Sequence, residues 1–144
     1  MGAVILLDSN VLIDVLGDEQ TWRDWSIDQI SVLAADHRLA VNQIAYAEVA
    51  PRLGSPEEFN AWLGAFEIEY EPLGEDAAHC AGSAFDVYRS RRHRGEAGRG
   101  SVLPDFFIGG HASMAEATIL TRDPRFYRSY FPSVPLITPD KADA

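Results

Sequence analysis

Ala3-Val4-Ile5-Leu6-Leu7-Asp8-Ser9-Asn10-Val11-Leu12 decides the fold of this 144-residue chain. Residues 3–7 are apolar without alternation, which predicts a strand buried on both faces. Asp8 ends the run. Ser9 or Asn10 then fits the cap of a short helix reaching Leu16, with Gly17 closing it. A fully buried strand passing straight into a helix is the opening unit of an alternating β/α chain.

The same alternation continues outward. Thr21 fits the cap of a helix over residues 22–35, with Trp22, Trp25, Ile30, Val32 and Leu33 as its apolar residues. Residues 39–41 read as a second short strand, followed by a helix over 43–53 that Pro51 bends or ends early. Ser55-Pro56-Glu57-Glu58 is a capped helix start, with proline at the first helical position and acids in the first turn. Residues 68–71 alternate apolar and acidic, as in a strand with one exposed face. A long helix over 76–92 and a glycine-rich loop over 95–101 follow. Then come a helix over 103–115, a strand over 118–120, a short helix over 124–130 and a last strand at 136–137. This order predicts an α/β fold, a central, mainly parallel sheet with helices on both faces. The length fits one domain spanning residues 1–144.

Composition narrows the function classes. The chain is 47% hydrophobic, enough for a sizeable core. Cys80 is the one cysteine, which excludes an intrachain disulfide and a multi-thiol metal centre and suits a reducing cytoplasm. The apolar run 3–7 is too short for a signal-peptide core or a membrane span, so no membrane role is expected. A net charge of −10 argues superficially against nucleic acid. Its distribution argues otherwise. Residues 1–88 hold 16 acidic and 3 basic side chains, and residues 89–144 hold 9 basic and 6 acidic ones. Arg89, Arg91, Arg92, Arg94 and Arg99 cluster together, and Arg122, Arg125 and Arg128 surround Asp123. The planar fork of arginine suits phosphate.

Four acids stand in costly places. Asp8 follows the first strand, and Asp123 follows the strand over 118–120. Asp105 sits between Pro104 and the apolar Phe106-Phe107-Ile108. Glu48 lies within the helical run Ala45-Tyr46-Ala47-Glu48-Val49-Ala50. A carboxylate beside buried apolar surface is expensive unless its charge is compensated. In a parallel sheet, ligands bind beyond the carboxyl ends of the strands. Asp8 and Asp123 fall there, and Glu48 and Asp105 lie on helices able to close over the same crevice. A hard divalent cation, Mg²⁺ or Mn²⁺, is the simplest compensation for several converging carboxylates.

Leu6-Leu7-Asp8-Ser9-Asn10-Val11-Leu12, Ala47-Glu48-Val49, Leu103-Pro104-Asp105-Phe106-Phe107-Ile108-Gly109 and Leu120-Thr121-Arg122-Asp123-Pro124-Arg125-Phe126 resemble the successive motifs of PIN-domain ribonucleases. By size and motif order the chain is most similar to the VapC toxins of toxin–antitoxin pairs. The resemblance implies a PIN-like three-layer fold. It implies that Asp8, Glu48, Asp105 and Asp123 are catalytic and bind one or two Mg²⁺ or Mn²⁺ ions. Glu48 would orient the attacking water or take its proton. Asn10 and Thr121 would support the ligands from behind. The activity implied is endoribonuclease hydrolysis of RNA, with the RNA lying along Arg89, Arg91, Arg92, Arg94, Arg99 and Arg122. A cognate antitoxin protein and a homodimer are implied as partners. The antitoxin groove would be lined by the helices containing residues 22–33 and 59–66, whose large apolar residues exceed what one helix face needs.

Residue by residue, blander readings exist. An Asp after a strand is often only a helix cap, and Asp105 fits a first-turn acid favoured by the helix dipole. Ser9 fits a cap, and Asp14, Asp86 and Glu116 fit structural or solvated roles. His37, His79, His93 and His111 share no ligand-like spacing. The joint pattern of four acids favours the metal-site reading. Alternatives are a housekeeping PIN nuclease in RNA processing and an inactive nucleic-acid-binding module. A phosphatase with a nucleophilic Asp is disfavoured, because Asn10 stands where a second Asp is needed and no lysine precedes Lys141.

Overall fold

The computed structural model describes residues 3–17, 20–93 and 103–139. The elements run β1 (Val4–Leu7), α1 (Ser9–Leu16), α2 (Gln20–Leu33), β2 (Arg38–Val41), α3 (Gln43–Val49) with a 3-10 turn (Ala50–Arg52), α4 (Pro56–Ala65) and β3 (Ile68–Tyr70). They continue with α5 (Glu75–His93), α6 (Leu103–Ala115), β4 (Thr118–Leu120), α7 (Arg125–Tyr130) and β5 (Leu136–Ile137). The five strands form one sheet in the order β3-β2-β1-β4-β5, and every pairing is parallel. Helices flank it on both faces, the three-layer α/β/α arrangement expected from the alternation.

β1 lies at the centre, with Ile5, Leu6 and Leu7 no more than 2% exposed. Its register sets Leu6 beside Ala40 on one side and Ile119 on the other. The chain builds β2 and β3 on one side of β1, then crosses through α5 and α6 to place β4 and β5 on the other. The order reverses between β1 and β4, so a crevice opens beyond their carboxyl ends. Asp8 emerges from β1 there, and Thr121, Arg122 and Asp123 emerge from β4.

Several helix boundaries follow local chemistry. Ser55 accepts from the Glu58 N–H and caps α4, with Pro56 at its first position, as expected. Pro51 tightens the end of α3 into the 3-10 turn. Asn42 caps α3, its Oδ1 accepting from the N–H groups of Ile44 and Ala45. Two expected caps are corrected. α1 begins at Ser9, so Asp8 occupies the cap position, and neither Ser9 nor Asn10 does. Both are engaged in longer-range contacts. α2 begins at Gln20, which places Thr21 inside its first turn.

α5 and α6 form the most extensive helix pair, and Gly110 makes their approach possible. A Cβ there would lie 2.6 Å from the carbonyl oxygen of Ala77 and 2.9 Å from the Ala81 nitrogen. The aromatic residues Tyr88, Phe106, Phe126, Tyr130 and Phe131 pack between α5, α6 and α7. The core also absorbs most of the apolar surplus of α2 and α4. Ile30, Phe59 and Leu63 are buried, and Trp25, Leu33, Trp62 and Phe66 pack against the core, whereas Val32 is exposed. Among the described residues no helix is long and apolar enough to cross a membrane.

Candidate metal centre

The crevice at the switch point is a cavity of about 280 Å³, and Asp8, Glu48, Asp105 and Asp123 all line it. Ser9, Asn10, Pro104, Arg122, Phe126 and Tyr127 complete its walls. Each carboxylate arrives from a different element. Asp8 is delivered by β1, Glu48 by α3, Asp105 by the first turn of α6 and Asp123 by the segment after β4.

Asp8 is the most buried of the four, at 4% exposure. Its Oδ2 accepts from Thr121 Oγ1 at 2.8 Å, from the Tyr127 phenol at 2.9 Å and from Asn10 Nδ2 at 3.5 Å. Thr121 is fully used. Its hydroxyl donates to Asp8 and accepts from Asn10 Nδ2 at 3.3 Å and from the Asp123 N–H at 3.0 Å. Asn10 Oδ1 in turn accepts from the Arg122 N–H at 3.4 Å. The strap after β4 is thereby tied to the start of α1. Thr121 and Asn10 thus both touch the Asp8 carboxylate.

Burial raises the Asp8 carboxyl above its ordinary range, and the negative charge of Glu48 adds to the rise. The hydrogen bonds from Thr121 and Tyr127 and the Ser9 N–H pull in the opposite direction without cancelling it. Tyr127 feels the same surplus. Its pKa is raised well above 10 by burial, by the charges of Asp8, Asp105 and Glu48, and by its bond to Asp8. The phenol therefore remains a donor at any physiological pH.

Two contributors escaped the sequence reading. Tyr127 lies four residues beyond Asp123 on α7, and one helical turn was the available signal. Ser9 donates from Oγ to Glu48 Oε1 at 2.8 Å, fixing the one carboxylate of the four that sits on an exposed helix position. Glu48 is further placed by the capping of α3 at Asn42. There Nδ2 meets His111 Nδ1 at 3.1 Å, and His111 Nε2 lies 3.5 Å from Glu71. His111 is a buried helix-packing residue, in keeping with its lack of ligand spacing.

The donor set suits a hard divalent cation, since it consists of carboxylate oxygens with net negative charge. Among the described residues no three His, Cys, Asp or Glu side chains are gathered tightly enough to hold a metal ion as they stand. That spacing is compatible with Mg²⁺ or Mn²⁺, because Mg²⁺ keeps several of its waters and needs few direct protein ligands.

The arginines divide. Arg122 lines the cavity, but its Nε and Nη2 are bound to the buried Asp14 at 2.6 and 3.0 Å. Its guanidinium lies 5.6 Å from the centroid of the Trp22 ring. The Asp14 pair identifies that acid as structural rather than solvated. Arg89 lies over Phe85 and Arg91 over Tyr130, and neither lines the carboxylate cavity. The side chain of Arg92, and Arg94, Arg99 and the 95–101 loop altogether, lie outside the described residues.

Residues 5–132 match the family model of the PIN domain. The chain belongs to the PIN-domain family. PIN domains are nucleases that generally use divalent metal ions. The PIN fold of this chain is shared with solved structures, a toxin–antitoxin complex from Klebsiella pneumoniae among them. VapBC2 from Rickettsia felis, solved bound to a DNA fragment from its promoter, has a chain with a TM-score of 0.69 at 17% identity, covering 95% of this chain and 99% of that one. FitAcB from Neisseria gonorrhoeae gives 0.61 at 21% identity, covering 94% and 97%. VapBC from Salmonella typhimurium, solved bound to DNA, gives 0.62 at 20% identity, covering 96% and 98%. At these identities the likeness is one of fold. No functionally curated protein matches the chain in sequence.

Proposed function

We propose that this PIN domain is a Mg²⁺- or Mn²⁺-dependent endoribonuclease, the toxin of a toxin–antitoxin pair. The observation that carries the nuclease reading is the single cavity into which four elements bring Asp8, Glu48, Asp105 and Asp123. Asp8 and Asp105 are the principal ligands, with Asp123 completing the set. One or two divalent ions bound there would acidify the attacking water and stabilise the leaving oxygen of the phosphodiester.

The chain's own residues do the remaining work. Thr121, Tyr127 and Asn10 hold the Asp8 carboxylate through Oδ2 and limit its rotation. Ser9 holds Glu48 through Oε1, leaving its other oxygen to orient the water or accept its proton. Arg122 presents a guanidinium to the cavity wall, a counter-charge for the substrate phosphate.

The toxin reading rests on the fold likeness to VapBC and FitAcB complexes, and it brings an antitoxin protein and a homodimer as partners. The RNA path runs over Arg89, Arg91, Arg92, Arg94 and Arg99 as well as Arg122. The deciding experiment incubates the purified chain with Mn²⁺ or Mg²⁺ and a panel of structured and single-stranded RNAs. Cleavage is expected, with loss in excess EDTA and in Asp8→Asn and Asp105→Asn proteins that still fold. Cleavage that survives EDTA would sink the metal mechanism. Cleavage by both variants would sink the site. The toxin reading is tested separately, by whether the product of an adjacent small reading frame binds the chain and blocks that cleavage.

A further inference from the structure

Beside the carboxylate cavity lies a second one of about 450 Å³, whose walls include Trp22, Arg122, Asp123, Arg125 and Arg128. The two cavities share Arg122 and Asp123. In a chain of net charge −10, three arginines are thus gathered around one hollow at the rim of the acidic one. Arg122 is held in place from behind. Asp14, 2% exposed, grips it through both oxygens and is itself bonded by Ser26, and Trp22 lies against the guanidinium. A guanidinium already fixed loses less side-chain freedom on binding an anion than a mobile one. Trp22 serves here as backing for an arginine rather than as a platform for a base.

A polynucleotide whose scissile phosphodiester lies among the carboxylates must leave that cavity across its rim. The wall shared with the arginine cavity, Arg122 beside Asp123, leads from the carboxylates to Arg125 and Arg128, and a guanidinium fork matches a phosphate group's oxygens. We propose that the hollow formed by Arg122, Arg125 and Arg128 is a subsite for a backbone phosphate of single-stranded RNA, next to the scissile one. This rests on the nuclease reading above, and it assigns a role to Arg125 and Arg128 on α7 that the cluster on α5 does not fill. Continuity with the carboxylate cavity favours an RNA phosphate over a carboxylate of a protein partner, which would have no reason to share the wall formed by Asp123.

The test is binding of a short fluorescent single-stranded RNA to the full chain in Ca²⁺, which neutralises the carboxylates. Affinity is followed from about 50 to 200 mM salt. The Arg125→Ala/Arg128→Ala protein is expected to bind about tenfold more weakly, with the log–log salt slope reduced by about 0.7, the value for one lost single-strand phosphate contact. Arg125→Lys/Arg128→Lys should keep the slope and recover part of the affinity, which separates lost contact from lost fold. Arg38→Ala removes the same kind of charge at the opposite end of the sheet, beside Glu69 and Glu71, and should change neither quantity. Unchanged affinity and slope in the double alanine variant overturn the subsite, and so does an equal loss from Arg38→Ala. A wild-type chain that cleaves none of the RNA panel in Mn²⁺ or Mg²⁺, while the double variant still binds the short RNA more weakly, refutes the nuclease reading and leaves the phosphate subsite standing.

Discussion

The phenol of Tyr127 donates a 2.9 Å hydrogen bond to Oδ2 of Asp8, across 119 positions of sequence. It joins α7 to the end of β1 and supplies the buried carboxylate with a donor that does not titrate away, since the phenol is held well above 10. Tyr127→Phe keeps the ring's packing and removes the donor. A hydrogen bond to a charged group contributes about 1.5–3 kcal/mol, so urea denaturation should show a loss of that order at neutral pH. Loss of a group that orients a metal ligand typically weakens metal binding about 10–100-fold. Titrating cleavage with Mn²⁺ should therefore show a midpoint shifted upward by that order, with activity largely recovered at saturating metal. A variant with unchanged metal dependence would mean that the bond serves stability alone.

Asp8 also gives the metal-free protein a pH signature. Its carboxyl is raised above the ordinary 3.8 by burial and by Glu48. The folded state then holds the proton more tightly than the unfolded chain, so the contribution is stabilising at low pH and is lost as pH rises through the raised value. Asp8→Asn carries no charge and should melt higher than wild type in EDTA at neutral pH. The difference should shrink on acidification and shrink again when Mg²⁺ is added at pH 7. His111 acts in the reverse sense, because burial lowers its pKa against the pull of Glu71. Its stabilising contribution is present above about 6.5 and is lost as pH falls. Both proteins carry His111, so the difference between their melting curves isolates Asp8.

The parts of this molecule that sequence made legible are those governed by local rules. The unbroken apolar run of β1 announced a central strand, and Ser55-Pro56 announced α4. Asp8, Glu48, Asp105 and Asp123 were separable from the other acids because each follows a strand or interrupts an apolar helix face, and one cavity does receive all four. What escaped were relationships set by tertiary distance. Ser9 looks like a cap in sequence, yet it spans 39 positions to Glu48. Asp14 reads as structural or solvated on an eight-residue helix, and its partner Arg122 comes from 108 positions away. The aromatic packing of Phe59, Trp62 and Phe66 is likewise invisible before the chain folds.

The Asp14–Arg122 pair should respond unequally to loss of either partner. The Asp14 side chain is 2% exposed, and that of Arg122 is 30% exposed. Arg122→Gln strands a buried carboxylate that keeps the Ser26 hydroxyl as its side-chain hydrogen-bond partner among the described residues, whereas Asp14→Asn leaves a guanidinium able to turn toward water. Uncompensated buried charge costs about 3–5 kcal/mol, so Arg122→Gln is expected near that range at neutral pH and Asp14→Asn well below it. Equal losses in guanidinium denaturation would show that the pair is not asymmetrically solvated.

Gly110 tests the packing that carries α6, and with it Asp105, to the site. A methyl group there meets backbone atoms of α5, the Ala77 carbonyl at 2.6 Å and the Ala81 nitrogen at 2.9 Å, which cannot swing aside as a side-chain tip can. Overpacking of this kind typically costs about 1–3 kcal/mol, and rigid neighbours push toward the upper end. Gly110→Ala should therefore lower stability by about 2–3 kcal/mol, despite alanine's better helix propensity. The clash can be relieved only by moving α6 away from α5, which displaces Asp105 at its amino end. Nuclease activity should then fall further than the folded fraction does, and the Mn²⁺ midpoint should rise. Gly82, where a Cβ meets nothing within 4 Å, is the matched control. Gly82→Ala on the exposed side of α5 should gain up to about 1 kcal/mol by propensity alone. A Gly110→Ala protein that gains stability like Gly82→Ala would show that the α5–α6 approach is looser than these contacts require.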